Sequence, residues 1–511
     1  MTVSGTRMRP AFLLALLLAA TAAAAEPDTK LLTAAQQGDR EAVRTLLRQG
    51  SSVNAQDVDG TTLLHWAVRN NDAETVKLLL GRRADVKAAN RYGVTALSLA
   101  AVNGSAPIVG LLLAAGADSN SALPEGETVL MTAARTGNLA VVRALLAAGA
   151  EVNRAEGWQG QTAVMWAAAE DHGDVVAALI KAGADLNIRS KVLPGMPQRP
   201  RGGDVAQQGV HSNFPKGGLT ALHFAVRQNA VAAVSAMAEG GVNLDQQDPD
   251  GFTPFILAAL NGNYDLARLL IERGAGLEAA DKGGRTPLFA AVDMHTYEYS
   301  YNRPAPKPSG EMDSVDLVRF LLARGANPNA RLTSRVIPAK YDTAGNPNLT
   351  AGSTPFLKAA STADVTLMRI LLEAGADPFI TNLTRTNAMM MAAGLNWRNP
   401  GSLGSEKDAI EAIRICIEQG LDIEAYNDLG QTALHAATMR GRGSSGENNE
   451  GPNTAESEQL VRFLVAKGAP LDAQDKSGRT PVAMAQFMKN PTIATLLGEL
   501  GGAQQARAGQ R

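Results

Sequence analysis

The chain is poor in the residues that build disulfides, zinc clusters and aromatic cores. Cys416 is the only cysteine in 511 residues, so neither an intramolecular disulfide nor a cysteine-based zinc site can form. Cys416 lies in an apolar helical segment, where we expect a buried and inert thiol. Aromatic residues make up 4% of the chain, which favours helices rich in alanine and leucine.

A strong charge of either sign is also missing. The chain has 48 lysines and arginines against 50 aspartates and glutamates, a formal net charge of −2. This balance gives no electrostatic reason to expect nucleic acid or an anionic membrane as a partner. After the N-terminal segment, no stretch approaches the roughly 18 uninterrupted apolar residues of a membrane span.

Catalytic and metal-binding motifs are absent from the sequence, which contains no G-x-S-x-G, no H-E-x-x-H and no G-K-[ST]. The G-x-G-x-x-G that begins at Gly441 lies in a predicted loop and not between a strand and a helix. The acidic turns at Asp57 and Asp248 lack a calcium-binding glutamate, because Trp66 and Leu257 stand at its position. We therefore predict no catalytic residue, no metal and no cofactor.

The first 25 residues have the pattern of a secretory signal peptide. Arg7 and Arg9 precede an apolar run at 11–20, and small residues at 22–25 offer a cleavage site before Glu26. The apolar run is short for a membrane helix, and an uncleaved anchor is the alternative interpretation. We expect the mature protein to be periplasmic or secreted, with no membrane span after cleavage.

From about residue 30 onward the chain repeats itself. Gly60, Gly93 and Gly126 are spaced by 33 residues, and the same spacing separates Gly218 from Gly251. Each glycine precedes a similar phrase, such as TTLLHWAV or LTALHFAV, and an apolar stretch then leads into G-A-D or G-A-N. Apolar residues at helical spacing with a glycine at the end predict short helices in every repeat. The phrase returns after Gly160, Gly284, Gly352, Gly430 and Gly478.

This pattern resembles the ankyrin repeat, which opens with T-P-L-H-x-A and has a period of about 33 residues. The resemblance extends from about Lys30 to about Leu500 and comprises about twelve units. It implies an all-α repeat fold, an ankyrin solenoid of helix-turn-helix units with hairpin loops, in which stacked units bury a continuous core. It also implies that the histidines at the T-x-L-H position support packing, namely His65, His223 and His435.

Insertions and terminal units divide the array. We predict a signal peptide at 1–25, an N-terminal capping unit at 26–59, a C-terminal capping unit at 478–500 and a disordered tail at 501–511. Proline, glycine, serine and asparagine mark five insertions as loops, which either bind a partner or are tolerated surface loops. Repeats are expected at 60–188, 218–330 and 352–477, and insertions at 189–217, 295–312, 331–351, 395–408 and 441–456.

The resemblance implies a protein-binding surface on the concave face, formed by the hairpins and the first helices. Residues that vary between units there are the candidates, and arginines and aromatics are the strongest anchors. Trp158 either contacts the partner or folds back onto the neighbouring hairpin. We expect Trp66, Trp166 and Phe224 in the core. The candidates are Arg91, Tyr92, Trp158 and Phe252 on hairpins, Arg69, Arg135, Glu170, Arg227 and Leu260 on first helices, and Tyr297, Tyr299 and Tyr301 in the 295–312 insertion.

The predicted function is therefore a non-catalytic protein-binding scaffold that acts as a monomer outside the cytoplasm. One alternative is a structural organiser of an envelope complex. The other is a hydrolase assembled by the insertions, for which only His211 and His295 remain outside the repeat pattern, both in predicted loops. The fold alone does not name the partner.

Overall fold

The computed structural model describes residues 28–192, 217–295, 307–334, 350–395, 405–440 and 455–508. These residues form twelve consecutive helix pairs, which confirms the predicted all-α ankyrin solenoid of about twelve units. Isolated antiparallel bridges close the first hairpins, for example between Gln56 and Thr62 and between Ala89 and Thr95. Within the described ranges no strand extends beyond such bridges.

The chain divides into two compact units, and each has six of the helix pairs. Among the described residues, unit 1 comprises 28–192 and 217–242. Its helices are α1 (28–37), α2 (Arg40–Arg48), α3 (Leu63–Arg69), α4 (Ala73–Gly81), α5 (Ala96–Val102), α6 (Ala106–Ala114), α7 (Val129–Thr136), α8 (Leu139–Ala147), α9 (Ala163–Ala169), α10 (Gly173–Lys181), α11 (Ala221–Arg227) and α12 (Val231–Glu239).

Unit 2 comprises the described residues from 243 onward. Odd-numbered helices are the first helices of their pairs, as in unit 1. The helices are α13 (Pro254–Leu260), α14 (Tyr264–Glu272), α15 (Pro287–His295), α16 (Ser314–Ala323), α17 (Pro355–Ser361), α18 (Val365–Glu373), α19 (Ala388–Ala392), α20 (Glu406–Glu418), α21 (Ala433–Met439), α22 (Ala455–Ala466), α23 (Pro481–Phe487) and α24 (Pro491–Ala508).

A threonine cap followed by a proline begins several of the first helices in unit 2. The Thr253 side chain accepts a hydrogen bond from the N–H of Ile256, and Pro254 occupies the first turn. A proline is tolerated there because the N–H that it lacks has no partner within the helix. Thr354 and Thr480 cap α17 and α23 in the same way, so one local rule starts several first helices of unit 2.

Alanine lets the first helices of neighbouring repeats approach closely. Ala133 on α7 and Ala167 on α9 are fully buried, and α7 packs directly on α9. On the second helices, Val176 and Leu179 of α10 are fully buried as well, and α10 packs on α12. In these examples each repeat covers the apolar side of the next one within its unit, as expected for stacked repeats.

Histidines of the T-x-L-H phrase connect successive repeats. His65 Nδ1 accepts a hydrogen bond from the Thr62 N–H at 3.2 Å, and Nε2 donates to the Val94 carbonyl, 3.0 Å away in the next repeat. His435 does the same between Thr432 and the Arg479 carbonyl. Burial lowers the pKa of both imidazoles below its ordinary value. The packing role implied by the family resemblance is therefore present in both units.

Several segment boundaries differ from the sequence-based expectation. The disordered tail predicted from 501 is wrong for 501–508, because α24 continues to Ala508 through alanines and glutamines that favour helix. α20 begins inside the predicted insertion 395–408, because Ser405 caps it in a reciprocal capping box with Asp408. The predicted signal peptide and the central part of every predicted insertion lie outside the described residues. No described helix has both the length and the apolar character needed to cross a membrane.

Candidate functional site

Four of the predicted contact residues on first helices are exposed in unit 1. Arg69 and Arg227 are the last residues of α3 and α11, Arg135 lies in the last turn of α7, and Glu170 is the C-cap of α9. A cation near a helix C-terminus is favoured by the helix dipole, so the three arginines occupy sites that suit them. We call the exposed side chains of α3, α5, α7, α9 and α11, with their C-caps, the unit 1 face.

Two of the arginines lie over tryptophan rings. The guanidinium of Arg69 is 5.3 Å from the ring centroid of Trp66, and that of Arg135 is 5.3 Å from the ring centroid of Trp166. The second pair joins neighbouring repeats, because Arg135 is on α7 and Trp166 on α9. A cation over an indole face is held by the ring quadrupole, which restricts the arginine side chain.

Trp66, Trp166 and Phe224 are less deeply buried than the expected core position implies. All three side chains are only half-buried, whereas the neighbouring alanines on the same helices are fully buried. They occupy the slot one turn before the arginine position, at the boundary between core and surface. Their rings therefore contribute to the unit 1 face as well as to packing.

The hairpin tips of unit 1 present further exposed side chains. Tyr92 is 55% exposed, and the Arg91 guanidinium both stacks on its ring and hydrogen-bonds its hydroxyl. Trp158 is 70% exposed, which excludes the alternative that it folds back onto its neighbour. Its direction has a local cause. The buried carboxylate of Glu156 accepts hydrogen bonds from the N–H groups of Trp158, Gln159 and Gln161, which fixes the turn with the indole outside.

Two predicted candidates in unit 2 are not available to a partner. Phe252 is 4% exposed, and the buried Arg285 of the next hairpin lies over its ring, 5.5 Å from the centroid. Leu260 is 5% exposed at the end of α13. Variation between repeats singled them out, but large apolar side chains gain more from burial against their neighbours than from solvent exposure. Phe252 and Leu260 are therefore removed from the candidate surface.

The first helices of unit 2 enclose a charged cluster that the sequence analysis missed. Asp293 forms ion pairs with Lys358 at 3.0 Å and with Arg285 at 3.3 Å, and Arg285 also pairs with Asp281. Burial alone would raise the pKa of Asp293, but Lys358 and Arg285 outweigh it, so the pKa lies below its ordinary value. These groups neutralise one another and leave a charge-balanced interior.

A second polar set in unit 2 joins three helices. His295, the last residue of α15, has Nδ1 2.9 Å from Ser314 Oγ and Nε2 3.2 Å from an Asp364 carboxylate oxygen. Ser314 begins α16, and Asp364 caps α18 through the Leu367 N–H. The composition is that of a hydrolytic triad, but Ser314 is 6% exposed and a substrate cannot reach its hydroxyl here. We assign the set a structural role between repeats.

Some predicted residues cannot be placed. Tyr297, Tyr299 and Tyr301 of the 295–312 insertion, and His211, lie outside the described residues. In the part of the chain that is described, histidine, cysteine and acidic side chains form no group that could hold a metal ion.

Sequence reasoning also missed a cluster of exposed side chains in unit 2. Leu383, Tyr426 and Leu429 are each more than half exposed. The Arg385 guanidinium lies over the Tyr426 ring and forms an ion pair with Asp428 at 2.6 Å, which ties two adjacent hairpins together. Tyr92 and Trp158 were selected because they lie at hairpin tips. The same criterion, applied to every repeat, would have selected Leu383 and Leu429.

The sequence is similar to those of several known proteins. The chain is 25% identical over 309 residues to E3 ubiquitin-protein ligase KEG of Arabidopsis thaliana, which is 56% of this chain and 17% of that one. It is 28% identical over 180 residues to the B-cell lymphoma 3 protein homolog of Mus musculus, covering 34% and 32% of the two chains. A third relative, protein phosphatase 1 regulatory subunit 27 of Mus musculus, is 39% identical over 70 residues, covering 14% and 46%. The chain spans less than half the length of each of these relatives.

The family models agree with the repeat pattern. A model described as ankyrin repeats in three copies matches residues 31–122, 103–190, 204–281 and 222–332, and a single ankyrin-repeat model matches 429–476. Together these matches cover well over half of the chain. The chain therefore belongs to the ankyrin-repeat family, whose repeats are in general non-catalytic modules for protein interaction.

Proposed function

We propose that this protein is a monomeric, non-catalytic scaffold that binds a partner protein on the unit 1 face and acts outside the cytoplasm. The observation that carries the proposal is the set of exposed arginines at equivalent positions of α3, α7 and α11, together with the half-buried aromatic rings one turn before that position on α3, α9 and α11. Arginine and tryptophan dominate the binding energy of protein interfaces, and a rigid helical scaffold limits the ordering cost of association.

The exposed hairpin tips extend this surface. Tyr92 and Trp158 are large aromatic side chains held in open positions by their own turns. Exposed aromatic side chains of this size bury a large area at modest conformational cost. A relative named as a regulatory subunit of a phosphatase supports binding to another protein as the general role.

The proposed location rests on the N-terminal sequence alone. The basic, apolar and small-residue segments within residues 1–25 support export. The test is to fractionate cells that express the full chain and to sequence the N-terminus of the recovered protein. We expect a mature N-terminus at Glu26 in the extracytoplasmic fraction. Full-length protein in the cytoplasm would contradict the proposal.

A photocrosslinking amino acid at Trp158 tests the binding role. The matched control carries the same amino acid at Lys77, which is exposed on the second helix α4. We expect Trp158, but not Lys77, to trap one protein partner, and Arg135→Ala to abolish the trapping. Equal trapping from both positions, or trapping that is insensitive to Arg135→Ala, would argue against the unit 1 face.

A second candidate function, an organiser that holds two partners, is supported by the exposed cluster of Leu383, Tyr426 and Leu429 in unit 2. A crosslinking amino acid at Leu429 would trap a protein different from that trapped at Trp158 if this role is real. Trapping of the same protein from both positions would favour a single large partner.

A further inference from the structure

The unit 1 face has a repeating chemical order that indicates what its partner looks like. Arg69, Arg135 and Arg227 occupy the same register position on α3, α7 and α11. On the intervening helices α5 and α9 that position holds Val102, which is 54% exposed, and Ala169. From α3 to α11, the side chain at this position is therefore basic, apolar, basic, small and basic in turn.

Arg69 and Arg135, the two arginines stacked on tryptophan rings, have a guanidinium geometry that suits the binding of an anion. Stacking uses the face of a guanidinium, and its N–H donors lie along the edge, so a stacked arginine still presents a fork of donors. The acidic neighbour of Arg135 is Glu127, whose nearest oxygen is 3.8 Å away, too far for a direct hydrogen bond. That carboxylate already accepts from Thr132 Oγ1 at 2.9 Å. A bidentate carboxylate is the natural complement of such a fork.

On the unit 1 face itself, basic side chains outnumber acidic ones. Glu170 is exposed on the face itself, against three arginines. Asp57 and Asp59 of the first hairpin accept hydrogen bonds from the N–H groups of their own turn, including that of Thr61. The face therefore carries an excess of positive charge, although the whole chain is nearly neutral.

The repeat spacing sets the period of the partner. Packed helices are about 8–10 Å apart, so arginines on every second first helix are roughly 16–20 Å apart. An extended chain rises about 3.3 Å per residue and covers this distance in about five or six residues. One repeat then corresponds to about three residues of the partner.

We propose that the unit 1 face binds an extended, acidic segment of a partner protein, with carboxylates about six residues apart and an apolar side chain midway between the first two. Each carboxylate pairs with one arginine of the row, and the apolar side chain packs on Val102. This inference rests on the proposed function and specifies the chemistry of its partner.

The test uses the full chain and a dye-labelled synthetic peptide, ESTLSTESTASTE, with binding followed by fluorescence anisotropy. We expect Arg135→Gln to weaken binding at least about 10-fold, as for the loss of one charge-assisted pair. Arg143→Gln, on the second helix α8 of the same repeat, is the matched control and should leave binding unchanged. Arg135→Lys keeps the charge but not the fork, and we expect an intermediate loss.

Two further peptides separate the possible outcomes. A version with glutamine in place of every glutamate should lose binding, and rising salt should weaken the glutamate peptide. Equal binding of the glutamine peptide would overturn the proposal. So would binding that occurs only when phosphoserine replaces glutamate, since the anion would then be a phosphate.

Failure of this inference is distinguishable from failure of the proposed function. If no peptide binds but the amino acid at Trp158 still traps a protein in an Arg135-dependent way, only the acidic, extended partner is wrong. If Arg135→Gln unfolds unit 1, its circular dichroism melting curve will show it. In that case Arg69→Gln, at the other stacked arginine, replaces it as the test variant.

Discussion

The Lys358 ammonium lies 3.0 Å from the Asp293 carboxylate, although 65 residues separate them and the two residues belong to different repeats. Arg285 reaches the same carboxylate at 3.3 Å. Two cations thus pair with the Asp293 carboxylate, and Asp281 completes the charge balance by pairing with Arg285. Such a cluster is stable only as a whole, because each charge depends on the others for its compensation.

Removing the anion tests this dependence. We expect Asp293→Asn to lower the free energy of unfolding by about 3–5 kcal/mol, because it removes the buried anion that pairs with Lys358 and Arg285. Urea denaturation of the full chain measures the change. The control is Glu272→Gln, which breaks the exposed Arg268–Glu272 pair and should have little effect. Equal, small effects of both substitutions would show that the cluster is solvated in solution.

The buried histidines predict a dependence of stability on pH. The pKa values of His65 and His435 are lowered by burial, so the folded chain holds both rings neutral while the unfolded chain takes up protons near pH 6.5. Stability should therefore fall as the pH drops below about 6.5, by up to ~1.4 kcal/mol per pH unit for each ring. The fall ends once the folded rings are protonated as well.

A double variant isolates this contribution from that of the carboxylates. His65→Gln with His435→Gln should be less stable than the parent at pH 8, and its stability should change less between pH 7 and pH 5. Chemical denaturation at a series of pH values gives both quantities. A variant with the same pH slope as the parent would show that these rings do not titrate on unfolding.

The close contact between Gly137 and His172 of the next repeat can be tested by substitution. The φ of Gly137 is +74°, and an added Cβ would lie 2.5 Å from the ring of His172. That ring is held in place because its Nε2 is 3.0 Å from the Arg135 carbonyl. We expect Gly137→Ala to destabilise unit 1 through both backbone strain and the clash with the ring.

Gly149→Ala is the matched control, since Gly149 also has a positive φ but an added Cβ would meet nothing within 4 Å. It should cost only the backbone strain, about 1 kcal/mol. Adding His172→Ala to Gly137→Ala should recover part of the loss in a thermal melt. Equal melting temperatures of the two glycine variants would rule out the clash.

The single thiol reports on the opening of unit 2. Cys416 is fully buried in α20, and burial raises its pKa to about 12. At pH 8 we expect almost no reaction with a disulfide reagent in the native protein, and one equivalent of reaction in urea. If the native protein is labelled rapidly, at a rate limited only by the concentration of the reagent, then the thiol on α20 is exposed in solution.

Much of this protein follows from local patterns in the chain. The 33-residue spacing from Gly60 to Gly93, the threonine caps and the first-turn prolines predict the helix pairs, because capping and helix periodicity involve neighbours within a few residues. The same patterns identify Arg69, Arg135 and Trp158 as surface candidates. The predicted array of about twelve units agrees with the twelve helix pairs that the described residues form.

Only the tertiary structure decided which candidates face solvent. Leu260 occupies a position whose equivalents in unit 1 include the exposed Arg69, yet it is buried. Arg285 of the next hairpin covers the ring of the buried Phe252. Trp166 becomes the platform for an arginine of another repeat, and His295 meets Asp364 across a sequence gap that no local pattern spans. Exposure and pairing depend on atoms that are distant in sequence, whereas helices depend on atoms that are near, and a single sequence carries direct information only about the latter.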